Sequence, residues 1–119
     1  MRRPMFAAIG LLLLSGCNSI GGDMIVRVSG AIPPTSVQSD APCTLDMIAV
    51  DTDERASTRN VEATFDTTMM VMSNPKPKYY YFTAKCGDAA PAYSHEVMVG
   101  TRASYSKEFD LGMMSVERP

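Results

Sequence analysis

Two cysteines set in alternating apolar runs constrain this chain more than any other feature. In Cys43-Thr44-Leu45-Asp46-Met47-Ile48-Ala49, the residues Cys43, Leu45, Met47 and Ala49 share one face of an extended strand. In Tyr80-Tyr81-Phe82-Thr83-Ala84-Lys85-Cys86, the residues Tyr80, Phe82, Ala84 and Cys86 share another, opposite Tyr81, Thr83 and Lys85. A period of two belongs to strands and not to helices, so each run turns an oily face and a thiol toward a common core.

The rest of the chain reads the same way. Met24 to Ser29 alternates, with Met24, Val26 and Val28 on one face, and Gly30-Ala31-Ile32-Pro33-Pro34 ends it because consecutive prolines cannot continue a central ladder. A polar loop from Thr35 to Pro42 leads into the Cys43 strand. Asp51 to Asn60 reads as a polar connection, followed by two apolar runs, Val61–Phe65 and Thr68–Met72. Ser73-Asn74-Pro75-Lys76-Pro77 is a turn by composition, and the strand Lys78–Cys86 follows it. Gly87-Asp88 closes that strand, and further strands are expected at Tyr93–Val99 and Phe109–Val116. Six or seven short strands divided by turn signals, with no amphipathic helix and no repeat, predict an all-β chain. The expected architecture is a small antiparallel β-sandwich.

The N-terminus says where such a domain would live. Met1-Arg2-Arg3-Pro4 carries two positive charges and no acid, and the apolar stretch Met5–Leu14 follows. That stretch is far shorter than the roughly 20 apolar residues a bilayer core requires, and it matches the form of a secretory signal peptide. Leu14-Ser15-Gly16-Cys17 resembles the lipobox of bacterial lipoproteins: a leucine, two small residues and a cysteine. The resemblance implies cleavage before Cys17 and a diacylglyceryl group on its thiol, so that a membrane is reached through covalent lipid. Asn18 stands where an aspartate would be the inner-membrane retention signal of enteric bacteria, which implies the outer membrane, facing the periplasm. The organisation expected is a signal peptide over 1–16, a lipidated cysteine and short tether over 17–23, and a β-sandwich domain over 24–119.

Removing the leader leaves nine basic and thirteen acidic side chains, a balance of about −4. With no Lys/Arg cluster beyond Lys76 and Lys78, nucleic acid is not an expected partner. In an oxidising periplasm the two remaining cysteines, Cys43 and Cys86, are expected to pair as a disulfide, since neither has a second cysteine or a histidine at metal-binding or catalytic spacing. Closing a loop of that size restricts the unfolded chain by roughly 4 kcal/mol in the entropy model.

Two family resemblances follow from short motifs. The strand ending Val28-Ser29-Gly30, the strand Tyr80–Ala84 leading to Cys86-Gly87 and the closing Asp110-Leu111-Gly112-Met113-Met114 together resemble the transthyretin-like sandwich of carboxypeptidase regulatory-like domains. Gly30 followed by Ile32-Pro33-Pro34 also resembles small lipoproteins related to type III secretion pilotins, another compact β-sandwich family. Both imply the same fold class.

Candidate chemistry is thin. Asp51-Thr52-Asp53 with Glu62 has the outline of a calcium loop, but Arg55 and Ala56 occupy the places that need an oxygen ligand and glycine. Met69-Met70-Val71-Met72 and Met113-Met114 offer thioethers for Cu(I), although methionine is more often a core filler. His95 is the single histidine, and Ser94 and Glu96 beside it point to the opposite strand face. No metal, cofactor or catalytic residue is expected, and the chain is read as a non-enzyme. Tyr79 and Tyr81, opposite Tyr80 and Phe82, form with Lys78 the expected contact surface for a glycan or a protein. The function expected is a scaffold or accessory subunit of a cell-envelope assembly with an envelope protein as partner. The alternative is a module binding a glycan, a peptidoglycan fragment or a metal.

Overall fold

The computed structural model describes residues 22–118. The leader, the lipobox through Cys17, Asn18 and the tether up to residue 21 lie outside the described residues. Over these residues the chain is all-β, built from β1 (Asp23–Ala31), β2 (Cys43–Ala49), β3 (Arg55–Val61), β4 (Thr64–Met72), β5 (Lys78–Cys86), β6 (Ala92–Tyr93), β7 (Val97–Val99) and β8 (Glu108–Met113), with a 3-10 turn at Pro34–Ser36. The first sheet has the order β4-β1-β8, and the second has the order β3-β2-β5-β6, with β7 also on β5.

The core lies between them. The first sheet contributes Met24, Val26, Val28, Phe65, Met69, Val71 and Leu111, and the second contributes Leu45, Met47, Ala49, Tyr80, Phe82 and Ala84. These are the alternate residues of each run, so the period of two decides which side chains leave water. Cys43 stands directly opposite Cys86 in the β2–β5 register and the two are joined, with their Cα atoms 4.1 Å apart. The bond from Val50 N–H to the Tyr79 carbonyl marks a hydrogen-bonded pair at that end of the ladder. By alternation Cys43↔Cys86 falls on a narrow, non-hydrogen-bonded pair, where facing side chains stand closest. Beyond Cys86, Gly87 takes φ +58°, and a Cβ there would collide with Gln38 and Ala41. Gln38 Oε1 accepts the Asp88 N–H at 2.7 Å, so the Thr35–Pro42 loop docks against the strand end beside the disulfide.

Four expectations need correction. The stretch expected to be a polar connection contains β3, a strand none of whose residues is buried. It is made by pairing with β2 at a sheet edge and carries no apolar alternation that would reveal it. Val61 belongs to β3, while Phe65 joins the methionine run in one nine-residue strand, β4, after the Glu62-Ala63 turn. The expected strand Tyr93–Val99 is broken into β6 and β7, whose registers on β5 differ by one residue. Among the described residues the strands number eight, against the six or seven expected, because the Tyr93–Val99 strand is divided.

The sandwich is also not wholly antiparallel, because β8 runs parallel to β1. Its register slips between Ser29 and Ala31, where Gly112 takes φ +63° and a Cβ on Gly30 would lie 3.0 Å from both the Gly112 carbonyl and the Phe65 ring. The bulge lets the chain leave β8, and Tyr93 and Ser115 then exchange backbone bonds of 2.6 and 2.8 Å that join the two sheets along one side.

Candidate contact surface

The residues expected to form a contact surface separate in the structure. Tyr79 projects outward with 53% of its surface exposed, and Lys78 beside it is half-buried and lies 3.9 Å from Asp51. Tyr81 shares the outer face of β5, yet only 8% of it is exposed. The cause is the segment after β8, which carries Arg118 back over this face. The Arg118 guanidinium sits 5.3 Å from the centre of the Tyr81 ring. Arg118 Nη2 donates to the Tyr81 hydroxyl at 2.7 Å and to Asp53 Oδ1 at 3.1 Å, and the hydroxyl donates to Asp53 Oδ1 at 3.1 Å. Burial raises the Tyr81 pKa above the ordinary tyrosine value, and the bond to Asp53 raises it further, while the Arg118 charge opposes both. Asp53 holds this position from a φ of +59° in the β2–β3 turn, a conformation aspartate tolerates better than most residues. A paired tyrosine platform is therefore not presented. One ring is free and the other lies under a cation.

The other chemical candidates are also placed. Asp51, Thr52 and Asp53 occupy the β2–β3 turn, whereas Glu62 lies beyond the far end of β3. A seven-residue strand, roughly 23 Å long, separates them, so they cannot ligate one ion. His95 is exposed, and Ser94 is committed elsewhere: its hydroxyl accepts the Phe82 N–H at 2.8 Å and donates to the His95 carbonyl at 2.8 Å. The methionines divide by strand face, with Met69 and Met114 buried and Met70, Met72 and Met113 exposed.

Two further surfaces were not anticipated. Edge strands β3 and β4 belong to different sheets, and a hollow of about 440 Å³ opens beside their connection, lined by Asn60, Glu62, Phe65 and Asp66 among others. The open edge of β4 is partly closed, because Arg59 Nε donates to the Thr68 carbonyl at 2.8 Å and Asn74 Nδ2 to the Met72 carbonyl at 3.2 Å. The second surface is on the outer face of the first sheet, where Ile25, Met70 and Met72 are 57%, 51% and 68% exposed. Ile25 faces Met70 directly across the ladder, and Met72 follows on the same face of β4. This cluster had a legible signal: Met69-Met70-Val71-Met72 places apolar side chains on both faces of one strand.

No family model matches the chain, and no curated protein matches it in sequence. A solved structure does match in fold: an alternative pilotin from the type II secretion system of Vibrio cholerae. The TM-score is 0.52 at 13% identity, covering 77% of this chain and 96% of the pilotin. At this identity the likeness is one of fold alone, and no family model supports either the transthyretin-like motifs or the Gly30 and Ile32-Pro33-Pro34 motif.

Proposed function

We propose that this protein is a lipid-anchored, periplasm-facing and non-enzymatic accessory subunit of an envelope assembly, in the manner of a secretion-system pilotin. The observation that carries the reading is the fold shared with a pilotin over nearly that protein's whole length. The lipobox-like Leu14-Ser15-Gly16-Cys17 supports it from the opposite end of the chain. In this reading residues 1–16 are removed and Cys17 becomes the acylated first residue. Its two or three acyl chains hold the domain where one chain would hold it only marginally. Tethering concentrates a small domain beside other envelope proteins, which strengthens binding without any new contact. The placement of Asn18 supports the outer membrane.

The glycan-binding alternative gains nothing from the geometry, because Tyr81 already stacks under Arg118 and leaves Tyr79 alone. The test is crosslinking in cells that make the full-length protein, followed by purification and mass spectrometry of the adducts. One dominant envelope protein, recovered from wild type and depleted in Cys17→Ala, is the expected result. Recovery of no specific protein would overturn the accessory role.

A further inference from the structure

Along the outer face of β1 and β4, polarity changes with distance from the N-terminal end of β1. The first cross-strand positions on this face are Asp23↔Met72 and Ile25↔Met70. The next are Arg27↔Thr68 and Ser29↔Asp66, where Arg27 donates to both Asp66 carboxylate oxygens at 2.8 and 2.7 Å. The face is thus apolar beside residue 22 and ionic about 13 Å further along the strand. Isolated surface hydrophobics need no explanation, but here three large ones are contiguous, and they are gathered at one end.

Charged side chains of both signs flank that end. Arg102 reaches the Asp23 carbonyl at 3.5 Å and with Lys107 lines a hollow of about 260 Å³ beside Asp23. Lys76 is exposed on the turn that follows Met72, and Gly22 is bound to Ser73 at the start of that turn. Carboxylates stand among these cations: Asp23 on the strand itself, Glu54, which lines a hollow with Met72, and Glu108, which follows Lys107 and pairs in register with Arg27.

The length of chain preceding β1 fixes what meets this end. Five residues lie between Cys17 and Asp23, so the span is six chain steps, a reach of at most about 22 Å even when fully extended. From the lipidation of Cys17 proposed above, and from the exposed apolar cluster gathered at the end of β1 nearest the tether, we infer that Ile25, Met70 and Met72 seat in the lipid interface. Lys76, Arg102 and Lys107 then lie at the level of anionic headgroups. The domain rests on the membrane by the outer face of its first sheet and does not hang from a free tether. A contiguous apolar cluster close to a lipid anchor is what an interfacial contact needs, and cations that reach an anionic leaflet add attraction. The orientation turns Tyr79 and the outer face of the second sheet toward the periplasm.

The absence of tryptophan from the chain makes this testable. Met72→Trp and, separately, Tyr79→Trp each install a single fluorophore at an exposed position. The lipidated full-length products are reconstituted into vesicles of phosphatidylethanolamine with a minority of phosphatidylglycerol, with and without brominated acyl chains. In vesicles that float with bound protein, Met72→Trp is expected to be quenched at least about twofold more than Tyr79→Trp, as an interfacial residue is beside a solvent-facing one. Flotation with no difference in quenching, or with Tyr79→Trp quenched more, would overturn the orientation and leave the anchor standing. Failure of the wild-type protein to float would overturn the Cys17 anchor and the orientation with it.

Discussion

The two sheets share one core but are finished differently on their outer faces. The second is pinned internally by Cys43–Cys86, and its outer aromatic Tyr81 is covered by Arg118 from the chain's own last segment. The first has no covalent link, and it leaves Ile25, Met70 and Met72 uncovered. Strand alternation assigns Tyr81 and Met70 alike to an outward face. What decides their exposure is whether another part of the chain is laid across them, and among the described residues the second sheet receives that cover at Tyr81 while Met70 does not.

The largest expected effect breaks the contrast at its covalent point. Replacing both cysteines, Cys43→Ala with Cys86→Ala, removes the closure of a loop with a sequence separation of 43 and should cost about 4 kcal/mol. Urea unfolding under non-reducing conditions measures it. An unchanged midpoint, or two free thiols in the wild type, would remove the distinction between the sheets.

A smaller effect uncovers the aromatic face. Arg118→Ala removes a cation over the Tyr81 ring and an ion pair with Asp53 whose partners are 55% and 64% exposed. The stability loss should be no more than about 1 kcal/mol. The clearer readout is spectrophotometric titration. Tyr81 ionises above the ordinary value near 10 because it is buried and bonded to Asp53. A raised tyrosine pKa contributes stability that is present below pH ~10 and lost as pH rises through the folded value. Tyr81→Phe should therefore remove part of the late alkaline absorbance. A titration unaffected by that change would contradict the packing described.

The smallest effect lies at the ionic end of the first sheet. The bond from Arg27, with its charge, holds the Asp66 carboxyl below the usual carboxylate range, while desolvation opposes that shift. A depressed pKa contributes stability above pH ~4 that is lost as pH falls through the folded value. Both side chains are well exposed, so Asp66→Asn should differ from wild type only slightly at neutral pH and not at all in strong acid. A large difference at acid pH would show that this end carries more than a surface pair.

Much of this was legible in the residues, and the exceptions share a cause. Lys78–Cys86 and Cys43–Ala49 are strands as their alternation predicts, because each buries one face against the other sheet. β3 escaped because it buries nothing: Arg55, Arg59 and Asn60 lie on an edge, and charged residues are how natural edges avoid further pairing. The parallel pairing of β8 with β1 is a matter of topology, on which local periodicity is silent. Tyr81 looks open from the pattern of β5 for the same reason. Its cover comes from Arg118, 37 residues away, and no pattern within β5 encodes it.

The membrane anchor and the orientation on the membrane both rest on Cys17, so their most direct test is the intact mass and N-terminal fragmentation of the mature protein from membranes. The account predicts a chain beginning at Cys17 and carrying a thioether-linked diacylglyceryl group. A mature protein with an unmodified Cys17 thiol, or one beginning at another residue, would contradict it.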